Sequence, residues 1–112
     1  MNELLSLLQR HRFVFGSEEE LQAGIAQVLA AAGIEFEREA HLGIAGRIDF
    51  LARNGIGIEC KVAGSLGDTT RQCQRYLSDP SIIGLILVTS RASHLPVSEA
   101  CDARVLFVGG LQ

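Results

Sequence analysis

Leu21, Ile25, Val28, Leu29 and Ala32 recur at helical spacing, which gathers apolar side chains on one stripe of an α-helix. Ser17 stands ahead of the stripe as an N-cap with Glu20 three residues on, the two halves of a capping box, and Gly33 follows as the expected C-terminal stop. The periodicity predicts a helix over 17–32, preceded by a shorter one over 4–12. From residue 34 the period drops to two. Ile34, Phe36 and Arg38 alternate with Glu35, Glu37 and Glu39, which predicts an edge strand over 34–42 with one wetted face. Residues 46–53 and 56–62 read as the next two strands, with Ile48, Phe50 and Ala52 sharing one side of the first and Ile56, Ile58, Cys60 and Val62 one side of the second.

A further helix is predicted over 68–77, capped by Asp68 or Gly67 and ended before Pro80. On it Thr69, Gln72, Cys73 and Tyr76 share one face and Arg71 and Arg75 another; Tyr76 reads as a packing residue with its hydroxyl at the rim. Residues 82–88 show no alternation, as in a strand covered on both faces, and the helix before them makes the connection a crossover to a parallel neighbour. A short helix or turn over 97–103 and a last strand over 105–108 complete the layout. The pattern is α/β: a mixed β-sheet flanked by helices on both sides, in a single domain over 1–112.

Burial also sets the hairpin register. Joining apolar face to apolar face leaves Arg47, Asp49, Glu59 and Lys61 on the other side. A two-residue turn at Asn54 and Gly55 would pair Arg53 with Ile56 and oppose Asp49 to Cys60, scattering these charges. A three-residue loop or a bulge, with Gly55 at positive φ, restores the cluster and is the expected form. Gly57, on the same side, either leaves room for a substrate backbone or belongs to the turn.

At 112 residues and 47% hydrophobic content the chain supports one core and is too short for two domains. Cys60, Cys73 and Cys101 are odd in number and lack a Cys-x-x-Cys spacing, which argues against a disulfide framework or zinc ribbon and for core positions. A thiol nucleophile would need His11, His41 or His94 beside it in space, and nothing local supports that. The first residues carry an early acid, Glu3, with no basic leader and no continuous apolar run; a cytoplasmic protein without a membrane segment is expected. The net charge of −3 opposes a nucleic-acid partner only weakly, because metal-binding carboxylates raise the acid count and nine of the ten bases are arginine, the better phosphate fork. The glycines at 43, 46, 64 and 67 fit neither a phosphate-cradling loop nor a dinucleotide fingerprint, so no nucleotide cofactor is implied.

Asp49, Glu59 and Lys61 carry the candidate chemistry. Carboxylate oxygens are hard ligands suited to Mg²⁺, and Mg²⁺ held by one or two of them keeps positions open for water and a phosphate. Lys61 projects from the same strand face as Glu59, two residues away, and places a cation where charge develops in phosphodiester hydrolysis. The bland alternative is an exposed, salt-bridged hairpin face.

Glu18 ahead of the first long helix, Ile48 and Asp49, a nine-residue gap, Glu59, Cys60 and Lys61, then Arg71, Gln72 and Tyr76 form a series in one order. On these residues the chain resembles the PD-(D/E)XK nuclease superfamily over residues 17–89, most of all its small stand-alone members, the virus-type replication-repair nucleases and the archaeal Holliday junction resolvases. Ile48 stands where the name-giving proline would be. The resemblance implies a restriction-endonuclease-like fold in which Asp49 and Glu59 hold Mg²⁺ and Lys61 orients or activates the attacking water. It also implies a first-helix glutamate completing the metal site and Gln72 close to the phosphate or metal water. Glu18 is the choice among Glu18, Glu19 and Glu20, since Glu20 serves the cap and Glu18 shares the inward face with Leu21, Gln22, Ile25 and Leu29.

The expected function is Mg²⁺-dependent endonucleolytic hydrolysis of DNA, with Mn²⁺ able to substitute and junctions, flaps or branched DNA among the candidate substrates. Arg71, Arg75 and Arg47 are the expected DNA contacts, with solvated surface as their alternative reading. One active site per chain would cut two strands as a homodimer. The alternative is a catalytically inactive, nuclease-derived DNA-binding or assembly subunit.

Overall fold

Helix α2 (Glu18–Ala31) begins where Ser17 Oγ accepts the Glu20 N–H at 3.1 Å. It ends in a Schellman motif: Gly33, at φ +72°, donates to the Ala30 carbonyl and Ile34 to the Leu29 carbonyl, both at 3.0 Å. Leu21, Ile25 and Leu29 are fully buried, whereas Ala32, expected in the stripe, is the exposed C-cap residue. Helix α1 (Asn2–Gln9) precedes it and buries Leu4 and Leu8; it starts and ends earlier than the 4–12 span expected. This computed structural model describes residues 1–109.

Five strands form one sheet in the order β1 (Phe36–His41), β2 (Arg47–Ala52), β3 (Ile56–Lys61), β4 (Gly84–Thr89) and β5 (Ala103–Phe107). The first two pairings are antiparallel and the last two parallel, as a meander followed by crossovers requires. β4 is buried at every residue and β1 lies at an edge, both as expected, but the wet face of β1 is not a clean alternation: Arg38, expected with Ile34 and Phe36, is exposed along with Glu37 and Glu39. β5 starts at Ala103, which pairs with Leu85, so the segment expected as a turn over 97–103 shrinks to the four-residue α4 (Val97–Ala100).

Helix α3 (Leu66–Leu77) also starts before its expected position. Its N-cap is neither Asp68 nor Gly67 but Ser65, whose Oγ accepts the Asp68 N–H at 3.1 Å. Ser65 and Asp68 repeat the cap pattern of Ser17 and Glu20 with a shorter acid. α1 and α2 cover one face of the sheet over Phe50, Ile58, Cys60, Ile86 and Val88. α3 and α4 cover the other through Cys73, Tyr76 and Val97 over Leu85 and Leu87. Among the described residues no helix is long and apolar enough to cross a membrane.

The hairpin takes the three-residue form. Phe50 pairs with Ile58 and Leu51 with Gly57, leaving residues 53–55 as the connection, with Gly55 at φ +86°. One expectation about faces is overturned. Ile48 does not share a side with Phe50 and Ala52 but packs in the α3 layer with Leu85. The pleat turns over at Asp49, opposite Glu39, whose φ of +51° is a left-handed conformation uncommon outside glycine. Register on β1 runs Arg38 to Phe50 and Ala40 to Ile48 on either side of this break. Gly57 is then explained by packing, since a Cβ there would stand 2.5 Å from Ile48 Cδ1; its space belongs to the core and not to a substrate.

Candidate functional site

Past Phe50 and Ile58 the two hairpin strands are joined by side chains. Glu59 Oε1 accepts the Asp49 N–H at 3.1 Å, and Asp49 Oδ2 accepts the Cys60 N–H at 2.8 Å. Each carboxylate is thereby fixed to the opposite strand. Lys61 Nζ lies 3.9 Å from Glu59 Oε2, completing the group read from the sequence. Glu59 is only 3% exposed, and Asp49 and Lys61 are half-buried.

Such a pair is electrostatically unfavourable when both members are ionised. Burial, then the Asp49 charge, pushes the Glu59 carboxyl up from 4.5 to about 8, against the opposing pull of the Asp49 N–H and Lys61. Asp49 is also raised, first by burial; the Cys60 N–H lowers it, and the charges of Glu18 and Glu39 raise it further.

Tyr76 is part of this group and does not sit at the rim as expected. It is 1% exposed, and its hydroxyl lies 2.8 Å from the Arg47 carbonyl and 3.3 Å from Glu59 Oε2. Gln72 Nε2 donates to the same hydroxyl at 2.9 Å, so Gln72 reaches Glu59 through Tyr76. The Gln72–Tyr76 spacing of one helical turn was the available sequence signal, and the aromatic's ordinary packing role concealed it. Glu39 was likewise read only as wet edge, because its left-handed φ is set by tertiary structure.

Glu18 is half-buried at the start of α2, and its charge acts on both Asp49 and Cys60. It does not converge with the two strand carboxylates into a three-ligand set: among the described residues no three His, Cys, Asp or Glu side chains do. Arg71 and Arg75 are exposed on α3, and Arg71 is ion-paired with Asp68. With Lys61, Gly64, Asp68, Thr69 and Gln72 they line a pocket of about 420 Å³ that adjoins the carboxylate pair through Lys61. Arg47 is exposed at the start of β2, where its carbonyl holds Tyr76. Depressions of about 420 and 430 Å³ around residues 11–13 share no residue with this site.

His94 and the thiols stay apart. The buried His94 ring contacts Thr89 Oγ1 at 2.7 Å and the Gly64 carbonyl at 2.8 Å. Cys60 is fully buried with its thiol pushed far up by burial, and Cys73 is pushed up to about 12, so neither supplies a thiolate.

The donor set fits a hard divalent cation. It offers two carboxylates, whose mutual repulsion a cation would relieve, and Asp49 Oδ1 accepts no hydrogen bond within the described residues. A cation held by two carboxylates matches the way Mg²⁺ is bound when phosphate and water complete its shell. No family model matches the chain, and neither a curated protein nor a solved structure matches it.

Proposed function

We propose that this chain is a Mg²⁺-dependent nuclease of the PD-(D/E)XK type that hydrolyses DNA phosphodiester bonds. The observation that carries the reading is the reciprocal fixing of Asp49 and Glu59 across the hairpin, with the chain's one lysine 3.9 Å from Glu59. A sheet that runs antiparallel through a hairpin and then parallel through a crossover, with helices on both faces, suits the restriction-endonuclease-like architecture that the resemblance implies.

Asp49 and Glu59 would hold Mg²⁺, which supplies polarisation of the phosphate and of a nucleophilic water. The backbone N–H groups of Cys60 and Asp49 orient the two carboxylates, and Tyr76, held by Gln72, steadies Glu59 Oε2. Lys61 provides a preorganised positive charge for the developing oxyanion. Glu18 adds negative charge from α2 that draws a cation toward Asp49. Arg71, Arg75 and Arg47 offer contacts to the phosphates that flank the scissile one.

The test is a Mg²⁺ and Mn²⁺ titration with plasmid, flap and four-way-junction DNA. Metal-dependent cleavage that chelator abolishes is the expected result. DNA binding with no cleavage at any metal concentration would replace this reading with that of a nuclease-derived, non-cutting DNA-binding subunit.

A further inference from the structure

We infer that the substrate strand is unpaired: a single DNA strand, or the single-stranded arm of a flap, lies along α3, and a duplex spanning the sheet end is disfavoured. The inference rests on the nuclease reading and names the substrate class of the same site.

Its basis is the distribution of charge on the two sides of the carboxylate pair. On the α3 side Lys61, Arg71 and Arg75 line one pocket with Gln72 and with Asp68, which is ion-paired with Arg71; three cations against one acid leave a net cationic track for consecutive phosphates. On the opposite side stand Glu39 of β1 and Glu18 of α2, whose charges act on Asp49, with a cation, Arg38, which is held by Gln22 of α2 at 3.0 Å. Glu39 lies where β1 faces Asp49, between the Arg38–Phe50 and Ala40–Ile48 pairs, and the exposed Glu19 and Glu37 continue the acid on their own elements. A divalent ion on Asp49 and Glu59 would offset those two charges and leave this outer rim in place.

A duplex has two phosphate backbones, separated by grooves about 6 and 12 Å wide. If one backbone follows the arginines of α3, the other falls on the β1 and α2 side, within roughly a Debye length, ~8–10 Å, of the acid rim. Like charges there weaken binding, whereas a single strand along α3 meets a track whose net charge is positive, three cations against the Asp68 carboxylate. The net charge of −3 leaves no general attraction to offset the local repulsion.

The experiment compares a single strand, the matching blunt duplex and a flap for binding in Ca²⁺ by fluorescence anisotropy and for cleavage in Mg²⁺. The single strand and flap should bind about tenfold more tightly than the duplex, a preference typical of one or two like-charge contacts. Glu39→Asn removes the charge while keeping a residue that tolerates left-handed φ, and should raise duplex binding with little effect on the single strand. Arg75→Gln should lower single-strand binding and flatten its salt dependence. Equal binding of duplex and single strand, or an unchanged ratio in Glu39→Asn, overturns the inference. Cleavage of duplex and single strand at equal rates also overturns it and leaves the nuclease reading standing. Preferential single-strand binding without cleavage supports the charge argument and removes the nuclease reading.

Discussion

Ionising Glu59 costs free energy in the folded chain that it does not cost in the unfolded one, because burial and Asp49 raise its carboxyl from 4.5 to about 8. The folded state holds the proton more tightly. This contribution to stability is therefore fully present below pH 4.5 and is lost as pH rises through about 8. In metal-free buffer, Glu59→Gln should flatten the fall in Tm between pH 6 and pH 9 relative to wild type; parallel Tm curves for the two proteins would mean that the carboxylate is not perturbed. Cys60 sits between the two functional positions yet points into the α2 core with its thiol pushed up by burial. Cys60→Ala should keep metal-dependent cleavage while costing about 1–3 kcal/mol in denaturant unfolding. Loss of all cleavage in a folded Cys60→Ala protein would point to thiol chemistry. Asp49, Glu59 and Lys61 were legible because the three-residue turn closed by Gly55 sets the register that brings Asp49 to Glu59, and alternation along β3 puts Lys61 beside Glu59. Tyr76 and Glu39 were not, since a hydroxyl's partner and a left-handed φ arise from contacts distant in sequence.

The connection from β3 to α3 positions Lys61, and its anchors lie on the β4 side. Ser90 N–H donates to the Lys61 carbonyl at 3.1 Å, and His94 Nε2 meets the Gly64 carbonyl at 2.8 Å. A carbonyl only accepts, so Nε2 carries a proton toward Gly64, while Nδ1 shares a 2.7 Å hydrogen bond with the Thr89 hydroxyl. His94→Ala removes the shared partner of the Gly64 carbonyl and the Thr89 hydroxyl and opens a cavity. It should cost about 2–4 kcal/mol in denaturant unfolding, and an unchanged midpoint would show that the connection is held by other contacts. Where chemistry is local, element boundaries were legible: Ser17 and Gly33 bracket α2, and Gly55 sets the hairpin loop. The α3 start was misplaced because Asp68 looked like a cap when it is the third helical residue behind Ser65. The change of face at Ile48 was invisible because a period of two assumes an unbroken pleat, and the pleat breaks at Asp49.

At the scale of the whole molecule, strand order and helix layers follow from few features. The unalternating run in β4 requires cover on both faces, and the crossover through α3 makes β3 and β4 parallel. Together these place the hairpin carboxylates at one end of the sheet beneath α3, with the first long helix on the other face. That placement was legible from pattern; the polarity of charge around the site was not, because it depends on which elements meet there. The central claim is that this arrangement is a cation-dependent hydrolytic site, with the carboxylates holding the metal and the lysine acting on the transition state. Asp49→Asn should lower metal affinity and cleavage together, since it removes a formal charge from the metal site. The most direct measurement is the single-turnover cleavage rate of Lys61→Met at saturating Mn²⁺ beside wild type, with metal binding followed in the same samples. The account predicts a fall of roughly 100-fold or more with metal affinity retained, as for loss of one preorganised electrostatic group. Equal rates in the folded variant and the wild type, whether both cut or neither does, would contradict it.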